Sequence, residues 1–279
     1  MRRLGRFLAA FYTKAYRENI TGLSGMVAYN LLLSVFPLAL LALFVASQVL
    51  RSAELERSVF NDLARLFPST AESTIENVLH RVESSSTSIG IVALVTSVWF
   101  GSSFWGALDT AFCRIYHVDC RSWLQQKRFA VAMLGLVLLF MVATVLVPTA
   151  QSILVKGTQG LPFGLSHVRV VLVGVTLLAT LLLIFGILCV VFWRVPNRKI
   201  PWRAIWPGAL LSTIAIGIVD YGFPLYLSGV STIAKLGTTL VFIVIVLLWF
   251  YAIAIIILGG AVVNAMRFEL HDTGDLRLE

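Results

Sequence analysis

The 279-residue chain is 58% hydrophobic and only 13% charged, and its net charge is +8. Soluble domains carry about 45–50% apolar and about 25% charged residues, so this composition excludes a water-soluble globular fold and indicates an integral membrane protein. Because the basic residues lie in short loops between apolar runs, we interpret the positive charge as a topology signal, and we expect no nucleic-acid partner.

Apolar segments long enough to cross a bilayer recur along the whole chain. A spanning helix needs about 20 apolar residues. The sequence contains six such segments, at approximately 26–50, 88–112, 129–151, 168–193, 203–228 and 236–266. The predicted fold is all-α, a polytopic bundle of six transmembrane helices that forms one membrane domain over residues 1–279.

The N-terminal segment 1–25 is predicted to be cytoplasmic or interfacial. Phe7, Phe11 and Ala15 recur at helical spacing within residues 5–18, with basic residues on other faces. This pattern fits an amphipathic helix on anionic lipid, and it equally fits an extension of the first span. Because the segment lacks the compact apolar core of a cleavable signal peptide, we expect the first span to be the retained insertion signal.

The first predicted span contains a polar, kinked site. Asn30 and Ser34 lie near its middle, and Pro37 follows at a spacing that kinks a helix. The site is interpreted either as a packing kink or as part of a substrate pathway.

Residues 51–87 are predicted to form an extracytoplasmic helical hairpin. Two apolar stripes at helical spacing are separated by Phe67 and Pro68, and Ser69 with Glu72 forms a capping box at the start of the second helix.

The second predicted span carries one face of small and polar residues. Ser102, Gly106, Asp109 and Cys113 fall at helical spacing, and Arg114 follows them. Small residues permit tight helix contacts, whereas an acid inside a membrane is a functional candidate because its burial is costly. The face is therefore either a helix–helix contact or the lining of a hydrated groove.

The fifth predicted span contains a second acid, Asp220, next to a helix break at Pro224. An acid at such a break can bind a cation or a headgroup amine, or relay protons. Alternatively, Asp220 reaches the outer interface or pairs with Lys235. Tyr226 completes the candidate residues of this span.

Basic residues concentrate before the first span, in the second loop and in the fourth loop, which are alternate sides of the predicted bundle. The positive-inside rule then places both termini, including the tail 267–279, in the cytoplasm.

Signals of enzyme chemistry are sparse. The histidines His80, His117, His167 and His271 are scattered, and no HExxH, GxSxG or phosphate-loop motif occurs. The three cysteines fit no metal or disulfide framework, so free thiols are expected. We predict no enzyme activity, cofactor or metal.

Several stretches, taken in order and spacing, resemble the YihY/BrkB family of bacterial inner-membrane proteins, formerly mislabelled ribonuclease BN. The stretches are 28–37, 107–116, 195–201, 207–209, 222–226, 248–251 and 258–261. The chain departs from the family pattern at Cys113, where members usually carry Asn, at Val262, where many carry Glu, and at 236–237. The resemblance implies an inner-membrane protein with a role in the cell envelope and its lipids.

The leading hypothesis is an envelope-biogenesis protein that handles membrane lipids in a groove lined by residues of three spans. Those residues are Asn30, Ser34, Ser102, Asp109 and Asp220. The alternatives are an ion-coupled solute transporter or channel that uses Asp109 or Asp220, and a scaffold for a periplasmic or inner-membrane protein partner that binds the 51–87 hairpin. Glycine- and alanine-rich spans permit oligomers. A ribonuclease is not expected.

Overall fold

The computed structural model describes residues 2–44, 87–133, 135–137, 139, 165–229 and 239–272. All the regular structure in these ranges is helical, which confirms the predicted all-α class. The helices are α1 (Arg2–Arg17), α2 (Ile20–Phe44), α3 (Thr87–Tyr116), α4 (123–133, continuing in 135–137 and 139), α5 (Leu165–Arg194), α6 (Trp202–Gly229) and α7 (Thr239–Asp272).

Three helices of the described ranges are long and apolar enough to cross a membrane. Their candidate spans are Leu177–Arg194, Trp202–Asp220 and Val244–Leu270, which overlap the fourth, fifth and sixth predicted segments. α2 contains a shorter apolar stretch, Ile20–Val35. The predicted hairpin 51–87 lies outside the described residues except for Thr87, which begins α3. Most of the third predicted span also lies outside them. The count of six spans therefore stays a prediction.

The N-terminal segment forms a helix of its own rather than an extension of the first span. α1 ends at Arg17, and Asn19 adopts a left-handed backbone conformation with φ 52°, which asparagine tolerates better than most residues. The Asn19 Oδ1 atom accepts a hydrogen bond from Gly22 N at 3.3 Å, so its side chain caps the start of α2. The chain can therefore change direction between the two helices.

The helices pack around α7. α2 lies along α3, α7 contacts both α2 and α6, α5 packs on α6, and α1 rests on α7 and α2. The fully buried side chains Phe112, Phe192, Ile205 and Leu258 come from four of these helices, and the rings of Phe112 and Phe192 are 5.9 Å apart. The core therefore joins α3, α5, α6 and α7 at the end of the bundle where α3 and α5 end and α6 begins.

α6 and α7 approach each other closely at Gly208 and Gly260. Gly208 N donates a hydrogen bond of 2.8 Å to Asn264 Oδ1, and Ser212 Oγ donates to Ile256 O at 3.1 Å. Small residues at such a crossing let two backbones meet and form hydrogen bonds between helices.

We predict that Gly208→Ala destabilises the protein by about 1–3 kcal/mol because a methyl group there overpacks the crossing. It would meet the Gly260 carbonyl oxygen and lie 2.6 Å from Asn264 Cγ, so α6 and α7 would have to separate. Unfolding of purified protein in detergent measures the change. Gly217→Ala on the same helix is the matched control, since its methyl group would lie 3.5 Å from Leu181. Equal stability of the two variants would contradict the close crossing.

Candidate functional site

The small and polar face of α3 is covered by the chain segment that follows it. Ser102, Gly106, Asp109 and Cys113 are all buried, as one face of a helix should be. Each of them contacts a residue of the segment 120–127. We call this contact the α3 seam. Its geometry corresponds to the helix-contact interpretation of the stripe.

The far end of the seam holds a cation among aromatic rings. Lys127 Nζ donates a hydrogen bond to Ser102 Oγ, and it lies 5.2 Å from the ring centre of Trp99 and 5.9 Å from that of Trp123. Ser102 Oγ donates in turn to the Trp99 carbonyl at 2.6 Å. Cation–π attraction and the hydroxyl together hold the ammonium group against α3.

The centre of the seam is a buried ion pair. Asp109 is 0% exposed; one of its carboxylate oxygens accepts from Arg121 Nη1, and the other accepts from the Arg121 backbone N at 3.3 Å. The guanidinium also donates to the carbonyls of Val195 and Arg194 and lies 4.2 Å from the Phe129 ring centre. One arginine thus neutralises the buried acid and satisfies two carbonyls at the end of α5. We call this arrangement the Arg121 clasp.

The near end of the seam is a disulfide between Cys113 and Cys120, whose Cα atoms are 5.4 Å apart. His117 ends α3 in a left-handed conformation with φ 52°, and Val118 N then donates to Cys113 O at 3.0 Å. This tight turn brings the two thiols together. The prediction of free thiols is wrong for this pair, because spacing in the sequence does not reveal turn geometry, and it holds for Cys189, which is free and buried.

We expect purified, denatured protein to react with one equivalent of maleimide reagent before reduction and with three equivalents afterwards, as counted by intact mass. Cys189→Ser should remove the single reactive thiol, and Cys120→Ser should add one. Labelling of all three thiols without reduction would contradict the disulfide.

A charged network joins three helices near the same end of the bundle. His117 Nε2 lies 2.9 Å from Glu18 Oε1, and Arg114 lies 3.6 Å from the same carboxylate. His117 Nδ1 is also 3.8 Å from Glu269 Oε1, which pairs with Lys14. Of the residues in this network, only Arg114 was a candidate in the sequence analysis, and its side chain is exposed. Lys14 and Glu269 were missed because they are 255 residues apart and each looks like an ordinary surface charge.

Tyr116 and Asn264 are buried beside this network. Burial raises the pKa of the Tyr116 phenol. The hydroxyl therefore stays protonated across the physiological range and acts as a neutral polar group.

The candidate residues of the first span lie on α2, next to α3. Asn30 Nδ2 donates to Met26 O at 2.8 Å, and Ser34 Oγ donates to Leu31 O at 2.9 Å. Both polar groups are thus satisfied within their own helix, and Pro37 is buried inside it.

Asp220 lies far from Asp109. The Arg121 clasp holds Asp109 beside the turn that leads into α6, whereas Trp202–Asp220 is a 19-residue stretch, about 28 Å long along the helix axis. Asp220 is exposed at its far end, so the structure does not bring the two acids into one site. The side chains of Tyr226 and Lys235 lie outside the described residues.

Within the described ranges, no group of three or more His, Cys, Asp or Glu side chains is arranged to hold a metal ion.

Comparison with known proteins places the chain among bacterial membrane proteins. The sequence model of the family described as virulence factor BrkB matches residues 11–276. The putative ribonuclease-like protein YfkH of Bacillus subtilis is 25% identical over 274 residues, which make up 93% of this chain and 94% of that protein. No solved structure matches the chain.

Further relatives carry the name UPF0761 membrane protein. The protein from Mannheimia succiniciproducens is 24% identical over 286 residues, covering 100% of this chain and 96% of the relative. The protein from Stenotrophomonas maltophilia is 25% identical over 282 residues, covering 98% of this chain. The chain spans only 63% of the length of that longer protein.

Proposed function

Because the chain belongs to the virulence factor BrkB family and its relatives include UPF0761 membrane proteins, we propose that it is an inner-membrane protein of envelope biogenesis that handles membrane lipids. It crosses the membrane six times in this proposal, with both termini in the cytoplasm. The residues that would meet lipid lie on the helix surfaces rather than in a polar channel.

The observation that carries the proposal is that Asp109 is buried and paired with Arg121. This acid is the most deeply buried carboxylate of the described residues, and Arg121 already neutralises it. A buried carboxylate that already has an ion-pair partner offers no open position to a transported cation. Meanwhile the long helices present large apolar side chains outward, among them Leu182 on α5 and Ile218 on α6. The arrangement favours a protein that acts on lipid over one that conducts ions through the bundle.

The proposed orientation rests on where the basic residues gather. Contacts of Glu18, Arg121 and Glu269 bring the end of α1, the ends of α3 and α5, and the end of α7 to one end of the bundle. Arg17, Arg114, Arg194, Arg203 and Arg267 all lie there. The positive-inside rule assigns such an end to the cytoplasm.

One observation favours a competing function. Asp220 is exposed near the opposite end of α6, and none of the described side chains forms an ion pair with it. The predicted helix break at Pro224 is absent, since α6 runs unbroken from Trp202 to Gly229. An ion-coupled transporter would nevertheless use this acid, since an exposed carboxylate on a spanning helix is a functional candidate for taking up a cation.

Purified protein in liposomes that carry a fluorescent phospholipid in both leaflets separates the two functions. An impermeant reductant added outside bleaches only the outer leaflet unless the protein moves lipid. We expect bleaching beyond the outer-leaflet share, unaffected by Asp220→Asn. Sodium- or proton-dependent solute uptake that Asp220→Asn abolishes, without lipid movement, would overturn the proposal. A sealed-vesicle leak test with a soluble dye is the control.

The same assay bears on the third alternative. A scaffold would show neither activity and would instead co-purify with a partner through residues 51–87. The ribonuclease-like name belongs to the Bacillus relative.

A further inference from the structure

The outer surface of α6 carries a continuous apolar ridge. Trp202, Trp206, Leu210, Ile214 and Ile218 follow one another at four-residue spacing, and they are 58%, 42%, 44%, 52% and 67% exposed. Side chains at this spacing form a single ridge along a helix. Its length is about 24 Å at a rise of roughly 1.5 Å per residue.

A cluster of cations lies at the Trp202 end of the ridge. Lys199 and Arg203 flank Trp202 in the sequence, and both are exposed. Arg267 comes from α7, and its guanidinium carbon is 5.9 Å from the ring centre of Trp206. Three positive side chains, from the turn, α6 and α7, are therefore grouped at this end of the ridge, and Arg267 contacts the ridge directly. We call them the cationic collar.

The turn that presents the collar is held firmly in place. Val195 and Ile200 are buried, the Arg121 clasp binds the Val195 carbonyl, and Asn197 Nδ2 donates to Asp119 O at 3.2 Å. A rigid turn loses little conformational entropy when a ligand binds, so its charges are preorganised.

The positive charge of the collar is not balanced by described acids. Glu269 is the acid nearest to Arg267 in the sequence, but it is buried and paired with Lys14. Asp119 lies beside the turn and is exposed, and its contact with Asn197 uses its backbone carbonyl. An excess of fixed cations at a surface attracts an anionic group.

We propose that the collar and the ridge together bind one anionic phospholipid. The phosphate group lies among Lys199, Arg203 and Arg267, and an acyl chain lies along the α6 ridge. Tryptophans at the junction suit the boundary between headgroups and hydrocarbon. A soluble phosphate would use the collar alone, but the apolar ridge that continues directly from it favours a lipid. An anionic phospholipid is thus the lipid class that we assign to the proposed function. This assignment rests on the proposed placement of the chain in the inner membrane, and it does not require that the protein moves lipid.

The test is a titration of detergent-solubilised full-length protein with fluorescent phosphatidylglycerol and, separately, with fluorescent phosphatidylcholine. The triple variant Lys199→Gln/Arg203→Gln/Arg267→Gln removes the collar. The matched control Arg6→Gln/Arg17→Gln/Arg128→Gln removes the same charge from other exposed positions. Because each collar side chain can donate a charge-assisted hydrogen bond to the phosphate group, we expect the collar variant to bind phosphatidylglycerol at least tenfold more weakly. The control should change less than about threefold.

A second variant separates a lipid from a soluble anion. Ile214→Asn interrupts the ridge at an exposed position, so it should weaken phosphatidylglycerol binding while the collar stays intact. Equal binding of both lipids by wild-type protein, or competition by glycerol phosphate as strong as by unlabelled lipid, would overturn the proposal.

The outcome is separable from that of the liposome assay. Lipid movement without anionic binding would overturn this inference alone. Anionic binding without lipid movement would overturn only the proposed function.

Discussion

Arg121→Met is expected to lower the free energy of unfolding by about 3–5 kcal/mol, since removing one partner of a buried ion pair leaves the other charge uncompensated. The Asp109 carboxylate is 0% exposed, and Arg121 is its only described ion-pair partner. The same substitution also leaves the carbonyls of Val195 and Arg194 without this donor. Unfolding in detergent, followed by circular dichroism, measures the change.

Arg128→Met is the matched control for this prediction, because Arg128 is exposed on α4, the helix that follows the turn of Arg121, and exposed substitutions usually change stability by about 0.5 kcal/mol or less. The double variant Asp109→Leu/Arg121→Met should recover part of the loss, since it removes both charges together. If Arg121→Met and Arg128→Met unfold alike, the clasp does not exist in the folded protein.

Glu269→Leu is expected to cost a comparable amount, about 3–5 kcal/mol, and to loosen α1 from the bundle. Lys14 is only 3% exposed, and Glu269 is the carboxylate that pairs with its ammonium group. Without that carboxylate, a buried cation would have to reach solvent, and the most direct route is for α1 to lift from α7. Hydrogen exchange of the α1 amides, measured by mass spectrometry, should therefore rise together with the loss of stability.

Arg17→Met is the corresponding control on α1, since Arg17 is exposed at the end of that helix. It should leave the exchange of residues 7–14 unchanged. Unchanged exchange in Glu269→Leu as well would show that α1 is held by its apolar face, through Phe7 and Phe11, and not by the ion pair.

These two ion pairs mark the limit of what the sequence could predict. Apolar segments and their lengths predicted an all-α membrane protein. Helical spacing grouped the four-position stripe on one face of α3, and the structure adds that this face is buried. The partners across that stripe were not predictable, because Arg121 and Lys127 look like ordinary loop charges until the chain turns back at His117. The match of the BrkB family over residues 11–276 confirms the resemblance drawn from short motifs.

The proposed groove illustrates the same limit. Residue chemistry grouped Asp109 with Asp220, since both are acids in predicted spans. The distance between the two acids depends on which end of its helix each acid occupies. The Arg121 clasp shows this, because it places Asp109 next to the turn before α6, whereas Asp220 lies 18 residues along α6 from Trp202. The neighbouring placement of α2 and α3 keeps Asn30, Ser34 and Ser102 as candidates for a shared role.

The Cys113–Cys120 pair also supplies a natural marker of membrane sidedness. Cytosolic reductants keep thiols reduced, whereas the bacterial periplasm oxidises them. Intact cells are quenched with acid and their free thiols are labelled with a maleimide mass tag. The labelling reports which compartment the disulfide end of the α3 seam faces, without a fusion protein. Three tagged thiols per chain would place that end in the reducing cytosol, in agreement with the charge distribution, and the Cys113–Cys120 bond would then close only after the protein leaves that compartment. One tagged thiol per chain would place that end in the periplasm and would reverse the proposed orientation of the chain in the membrane.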